Sequence, residues 1–220
     1  MIDFRPLGDR AFLARFDCES DSQHWCEAIR QAAIPGIVDV AVAYASAAVF
    51  FDPDQVDSDE LELELRVIKP IDGNLRIGRL VSLPVLYDGE DLAEVARFVG
   101  LTEGEVIEKH SSCSYSVFAL GFLPGFPYSG YLHEPLAGLP RLTRPRLRIP
   151  SGSVAIAARQ TGVYPTDSPG GWRILGRTPL RLVDLERGIF PIRAGDQLLF
   201  SSIGPDEFRA RLGEPVALAQ

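Results

Sequence analysis

The 220-residue chain contains no apolar run approaching the roughly 20 residues needed to cross a bilayer. Its first ten residues carry Asp3, Arg5, Asp9 and Arg10 and lack the apolar stretch of a signal peptide. A cytoplasmic protein without membrane attachment is the expectation. Cysteine is scarce: Cys18, Cys26 and Cys113 are odd in number and show no CxxC spacing. This argues against a disulfide framework or a zinc ribbon. Cys18, His24 and Cys26 are close in sequence, but no fourth ligand is evident, so no metal site is expected. Lysine is rarer still, with only Lys69 and Lys109. Neither follows a glycine, which removes the phosphate-binding GxxxxGK[ST] loop. There is no GxSxG nucleophile elbow. There is no HExxH either: His133-Glu134 runs into Pro135, which a metalloprotease helix would not tolerate. The three histidines, His24, His110 and His133, lie in separate segments, so no Ser-His-Asp triad is signalled.

What is present is an ordinary globular balance, 46% hydrophobic and 24% charged. The length allows two small domains, taken as residues 1–78 and 79–220. The net charge of −8 opposes nucleic-acid binding. That charge is uneven. Between Arg141 and Arg181 there are eight arginines against one acid, Asp167. This window is +7 and the remainder of the chain −15. Arginine presents a planar, always-charged fork suited to carboxylates and phosphates. Either the window holds an anion or an acidic partner, or its arginines pair with acids elsewhere in the fold.

The pattern predicts a strand over 11–16 and a helix from a cap at Asp21 or Ser22 to about Ala33. Strands over 38–44 and 47–51 follow. From 60 to 67, Leu and Val alternate with Glu and Arg, a strand pattern; yet Leu and Glu favour helix and Asp57-Ser58 is a good N-cap. A helix is preferred, because it completes a β-α-β-β-α order. Residues 76–87 read as extended. A short helix runs from Asp91 to Gly100, and Thr102 with Glu105 forms a capping-box pattern for another through His110. Beyond Ser111, short apolar runs at 115–120, 153–158, 172–175, 180–183 and 197–203 are separated by Gly and Pro. That spacing predicts a closed or nearly closed β-barrel, so the whole is α+β.

Candidate functional residues cluster between Gly121 and Thr178. Gly121 to Tyr128 packs two glycines, two prolines and three aromatics into eight residues. Such a stiff loop suits a pocket rim or a partner anchor, formed by Phe122, Pro124, Phe126 and Tyr128, or else plugs a barrel end. Arg144, Arg146 and Arg148 follow; if 146–148 is extended, Arg146 and Arg148 share one face. Ser151-Gly152-Ser153 is either an oxyanion-binding turn or a plain tight turn. Gln160, Thr161 and Tyr164 supply an amide, a hydroxyl and a phenol able to recognise a lactam or another amide. Gly170-Gly171 lets backbone approach a ligand closely, next to Trp172.

The motifs GFLPGFPYSGYL (121–132), LPRLTRPRLRIPSGSVAIAARQTGVYP (139–165) and SPGGWRILGRTP (168–179) closely resemble the 5-oxoprolinase B-subunit family, also called allophanate hydrolase subunit 1. LGDRAFLARF (7–16), LPVLYDGEDL (83–92) and AGDQLLFSSI (194–203) extend the likeness over nearly the whole chain. The resemblance implies a small N-terminal α/β domain, ferredoxin-like with order β-α-β-β-α-β, and a cyclophilin-like β-barrel. It implies a second subunit of related fold, a third separate subunit, and ATP-dependent cleavage of 5-oxo-L-proline to L-glutamate. ATP, with Mg2+, would be bound with or by the partner subunits. Ser151, Ser153 and Gln160 are then catalytic candidates. Arg144, Arg146, Arg148, Gly152, Thr161, Tyr164, Gly170, Gly171 and Trp172 are substrate-binding candidates. The family also includes a sporulation kinase inhibitor, and related modules occur in urea-processing carboxylases. A sensor histidine kinase as partner, or a urea or allophanate substrate, are therefore the alternatives.

Overall fold

The computed structural model describes residues 2–71 and 78–217. The chain divides into two compact units, Met1–Ile77 and Gly78–Gln220.

The first unit contains β1 (Asp3–Pro6), β2 (Ala11–Arg15), α1 (Glu19–Ala32), β3 (Ile37–Ala43), β4 (Ser46–Phe51) and α2 (Ser58–Val67). The four strands form an antiparallel sheet in the order β1-β2-β4-β3. Two details differ from the sequence pattern. Helix α1 starts at Glu19, with Cys18 rather than Asp21 or Ser22 at its N-cap. Ser22 is buried inside the helix, where its hydroxyl donates to the Glu19 and Tyr44 carbonyls. The sheet also gains β1, whose DFRP sequence lacks alternation. This strand takes the edge place beside β2, while the strand over the 76–87 region pairs in the other unit. Trp25 anchors the core: its ring meets Phe4 edge-on at 5.5 Å, and its indole N–H donates to the Ile68 carbonyl.

The alternating 60–67 segment is helical, and its burial shows why. Leu61 and Leu65, four apart, are fully buried, whereas Leu63 and Val67 are 68% and 74% exposed. A strand would have put all four on one face. The Asp57 carboxylate caps the helix by accepting from the Asp59 and Glu60 N–H groups.

The second unit adds β5 (Leu80–Val85), α3 (Leu92–Val99), α4 (Glu103–Ser111), β6 (Ser114–Leu120), β7 (Pro127–Gly130), β8 (Arg146–Ile149), β9 (Ser153–Ala157), β10 (Gln160–Val163), β11 (Ser168–Gly170), β12 (Arg173–Arg177), β13 (Gln197–Ser202) and α5 (Pro205–Ala210). Seven strands form one sheet in the order β12-β9-β10-β7-β6-β13-β5, and β8 pairs with β11 separately. All ladders are antiparallel except β13 with β5. The two edges nearly close on each other. Leu86, just past β5, exchanges both backbone hydrogen bonds at 2.9 Å with Arg177 of β12. Glycines permit this seam: a Cβ on Gly176 would overlap the Leu86 carbonyl oxygen, and one on Gly89 the Ile174 carbonyl oxygen.

Every residue of β9 is buried, so the strand has a core on each face. Val154 and Ile156 face the main core with Leu83, Val117 and Phe200. Ala155 and Ala157 face a smaller aromatic cluster of Phe126, Tyr164 and Trp172. The alternation along one strand thus positions two layers. The 180–183 run is not a strand. Leu180, Leu182 and Val183 are buried, but that stretch is tied in by a single bridge from Arg181 to Pro215. Its apolar spacing serves packing rather than a ladder.

Candidate functional site

The arginine window resolves first. Five of its eight guanidinium groups are ion-paired. Arg146 bonds Glu90 and Asp91, Arg173 bonds Glu94, and Arg177 bonds Asp88. Arg148 bonds Asp167, and Arg181 lies 3.4 Å from Asp184. Four of these six acids come from the segment Asp88 to Glu94, between β5 and the first turns of α3. Among the described residues no acid pairs with Arg141, Arg144 or Arg159. Arg144 is exposed. Arg159 stacks over Tyr131 at 4.5 Å, and Arg141 lies 6.0 Å from the Trp172 ring.

Arg146 and Arg148 do not form a shared anion fork. The β8–β11 pairing shifts register between Ser168 and Gly170. Arg146 turns inward, where Asp91 accepts from its Nη2 at 2.7 Å and from the Ile174 N–H at 2.7 Å. Arg146 Nη1 is buried with no hydrogen-bond partner among the described residues. Arg148 reaches outward, 77% exposed, to Asp167.

The Ser151-Gly152-Ser153 turn has its donors engaged. Ser151 N–H donates to Asp167, Gly152 N–H to the Tyr164 carbonyl and Ser153 N–H to the Pro150 carbonyl. The hydroxyls donate to the Pro165 and Pro150 carbonyls. The turn is therefore tied into its neighbours and holds out no spare N–H to an oxyanion. Gly152 sits at φ 83°, and a Cβ there would lie 2.7 Å from the Thr178 carbonyl oxygen. Ser151 and Ser153 border a cleft of about 650 Å³ with Asp88, Glu90, Arg177 and Arg181.

Thr161 and Gln160 lie elsewhere again. Thr161 is fully buried, with its hydroxyl 2.8 Å from His110 Nε2. Gln160 is half-buried on β10 and lines neither cavity.

The remaining candidates, apart from Pro124 and Arg144, do come together. Phe122, Phe126, Tyr128, Tyr164, Gly170, Gly171 and Trp172 line a second cavity of about 300 Å³, which shares no residue with the first. Phe126 is its floor. Its ring meets those of Tyr128, Tyr164 and Trp172 edge-on at 5.0, 5.2 and 5.4 Å. Such edge-to-face packing fixes the walls. The Gly121–Tyr128 loop is a closed turn, in which Phe126 N–H donates to the Leu123 carbonyl and Gly121 N–H to the Phe126 carbonyl. It holds Phe122 at the rim, 60% exposed with φ 66°. Pro124 is exposed but outside the lining. Burial raises the Tyr164 phenol pKa, against the Trp172 N–H and the charges of Arg141 and Arg146. Arg141 belongs to this cavity although strand alternation had pointed to Arg146 and Arg148. The one available signal was its position, opening the proline-rich run ahead of β8.

The profile described as "Carboxyltransferase domain, subdomain C and D" matches residues 2–190. The chain is 37% identical to the 5-oxoprolinase B subunit of Bacillus subtilis (strain 168), over 93% of this chain and 94% of the relative. The chain belongs to the 5-oxoprolinase B-subunit family. The motif-based resemblance thus holds across nearly the full length of that relative. Among solved structures, that of TTHA0988 superposes with a TM-score of 0.79 at 37% identity, covering 89% of this chain. The chain spans 40% of that longer one. The Kluyveromyces lactis urea carboxylase superposes with a TM-score of 0.70 over 99% of this chain and 24% of its own. At 18% identity this is a likeness of fold. No helix among the described residues is long and apolar enough to cross a membrane.

Proposed function

We propose that this chain is the B-type component of an ATP-dependent, cytoplasmic 5-oxoprolinase complex that cleaves 5-oxo-L-proline to L-glutamate. The observation that carries the reading is the match to a 5-oxoprolinase component over nearly the full length of both chains. The same reading gives the second unit a cyclophilin-like barrel and the first a ferredoxin-like sheet whose last strand is replaced by β1.

Within such a complex, this chain is proposed to bind and position rather than to supply the nucleophile. Ser151 and Ser153 have their hydroxyls committed to backbone carbonyls. The aromatic cavity is a preformed concave site with a few polar groups, the usual form of a small-molecule site. The residues lining the larger cleft do not fit ATP. The larger cleft offers Arg177 and Arg181, both ion-paired, beside Asp88 and Glu90, whose charge would repel a triphosphate. ATP with Mg2+ is accordingly assigned to the second subunit of related fold and the third, separate subunit.

A five-membered lactam is a stable amide, and activation by ATP is what its hydrolysis needs. Deleting the gene is expected to abolish growth on 5-oxoproline as nitrogen source. Co-expression with the two partner subunits is expected to give ATP-dependent glutamate release, absent when this chain is omitted. Normal growth without 5-oxoproline accumulation would sink the reading. Capture of a histidine kinase in place of the two subunits would favour a regulatory role.

A further inference from the structure

We propose that the cavity between Phe126, Trp172 and Arg141 is a binding site for a small ring acid, a molecule with one compact ring and a single carboxylate. Three independent observations converge on that class. The first is size. About 300 Å³ accommodates a five- or six-membered ring with one substituent, and is small for a nucleotide.

The second is the wall chemistry. Trp172, Tyr128 and Phe126 present aromatic surface, and Pro145 and Pro169 add stiff apolar edges. The walls are not free to collapse. A Cβ on Gly170 would overlap the Tyr164 hydroxyl and lie 2.7 Å from Ile149 Cδ1. The Tyr164 and Ile149 side chains already occupy the space a Gly170 side chain would take. Flat, rigid walls select a ring over a flexible chain, because little ordering entropy is lost on binding.

The third is charge. The Arg146 charge is matched by Asp91 and Glu90. Arg141 also lines the cavity, and no described acid is paired with it. The surplus is a single positive charge at one wall. It selects one carboxylate, offering the planar fork that such a group accepts. It disfavours a quaternary ammonium, which a bare aromatic box would otherwise attract.

Only the naming of 5-oxo-L-proline as a member of this class rests on the proposed function. The chain has two tryptophans, so its indole N–H region holds two resonances. Trp25 is buried in the first unit and serves as the internal control. The full chain is titrated with 5-oxo-L-proline, cyclopentanecarboxylate and the neutral lactam 2-pyrrolidinone. The expected result is that both acids shift the Trp172 resonance saturably at millimolar concentration or below, with Trp25 unmoved. The neutral lactam binds at least tenfold more weakly. Arg141→Gln weakens both acids at least tenfold but leaves the Trp172 shift and affinity for the neutral lactam unchanged, which shows that the second unit and its cavity are folded in the variant.

A Trp172 resonance that neither acid moves overturns the proposal, as would acid binding indifferent to Arg141→Gln. If growth on 5-oxoproline nevertheless depends on the gene, the complex assignment survives that result. Shifts with cyclopentanecarboxylate alone support the acid site and count against 5-oxoproline as its ligand.

Discussion

His110 Nε2 lies 2.8 Å from the Thr161 hydroxyl oxygen, deep inside the second unit. The Thr161 hydroxyl donates to the Ala155 carbonyl, so its oxygen accepts from Nε2–H. His110 Nδ1 is then the acceptor for the Tyr87 hydroxyl, also at 2.8 Å. The imidazole packs in a three-ring cluster, stacking 4.6 Å from Phe200 and 5.5 Å from Tyr115, with those two rings 5.8 Å from each other. Thr161, a lactam-binding candidate by sequence, is thus consumed by a core network.

Burial pushes the His110 pKa from 6.5 down to about 3. The folded state therefore refuses a proton that the unfolded chain takes up below pH 6.5. Stability from this group is complete above that value. It is lost as the pH falls towards 3, at about 1.4 kcal/mol per pH unit. His110→Gln keeps hydrogen-bonding capacity without titrating. Urea midpoints at pH 7 and pH 5 are expected to lie closer together in the variant than in the parent. Equal separation would show that His110 does not titrate on unfolding.

Arg146 and Arg148, two residues apart on β8, should respond very differently. Asp91, with its side chain 5% exposed, holds Arg146 and the Ile174 N–H together. Asp91→Ala leaves Arg146 only its pair with the exposed Glu90 and orphans the buried Ile174 N–H, and is expected to cost about 1–3 kcal/mol in urea unfolding. Arg148→Ala removes an exposed pair and is expected to cost about 0–1 kcal/mol. Comparable losses from both would refute this division of the pair.

The difference between those two arginines marks where sequence reading reached its limit. Local signals survived well. The Thr102–Glu105 capping box is present in both directions, and Asp57 caps α2. Those features depend on residues three or four apart. The partners of Arg146, Arg173 and Arg177 lie far upstream, on a segment that closure of the barrel brings alongside β12. No spacing rule encodes that closure, because the Leu86–Arg177 bridge is a property of the whole sheet. The aromatic cavity was legible in its parts, as the Gly121–Tyr128 loop and the Gly-Gly-Trp run. Gathering Arg141 rather than Arg144 into it required the fold.

The three thiols should separate by reactivity. Cys26 is fully buried, and burial pushes its pKa up to about 12, so almost none is thiolate at neutral pH. Cys18 and Cys113 are partly exposed. Alkylation of the native protein at neutral pH, followed by mass spectrometry, is expected to spare Cys26, which labels only after denaturation. Early labelling of Cys26 would mean that the first unit opens readily.

Gly170 should be intolerant of a methyl group, and the reason can be isolated. Its Cβ would overlap the Tyr164 hydroxyl and press on Ile149 Cδ1. Gly170→Ala is expected to cost about 1–3 kcal/mol, the usual range for overpacking. Tyr164→Phe deletes the overlapping oxygen. The double variant should therefore lose less than the sum of the two single losses, a positive coupling measurable by urea unfolding of all four proteins. Additive losses would place the strain at Ile149 instead. The Trp172 indole resonance reads the same coupling locally: displaced in Gly170→Ala, it should move back towards its parental position in the double variant.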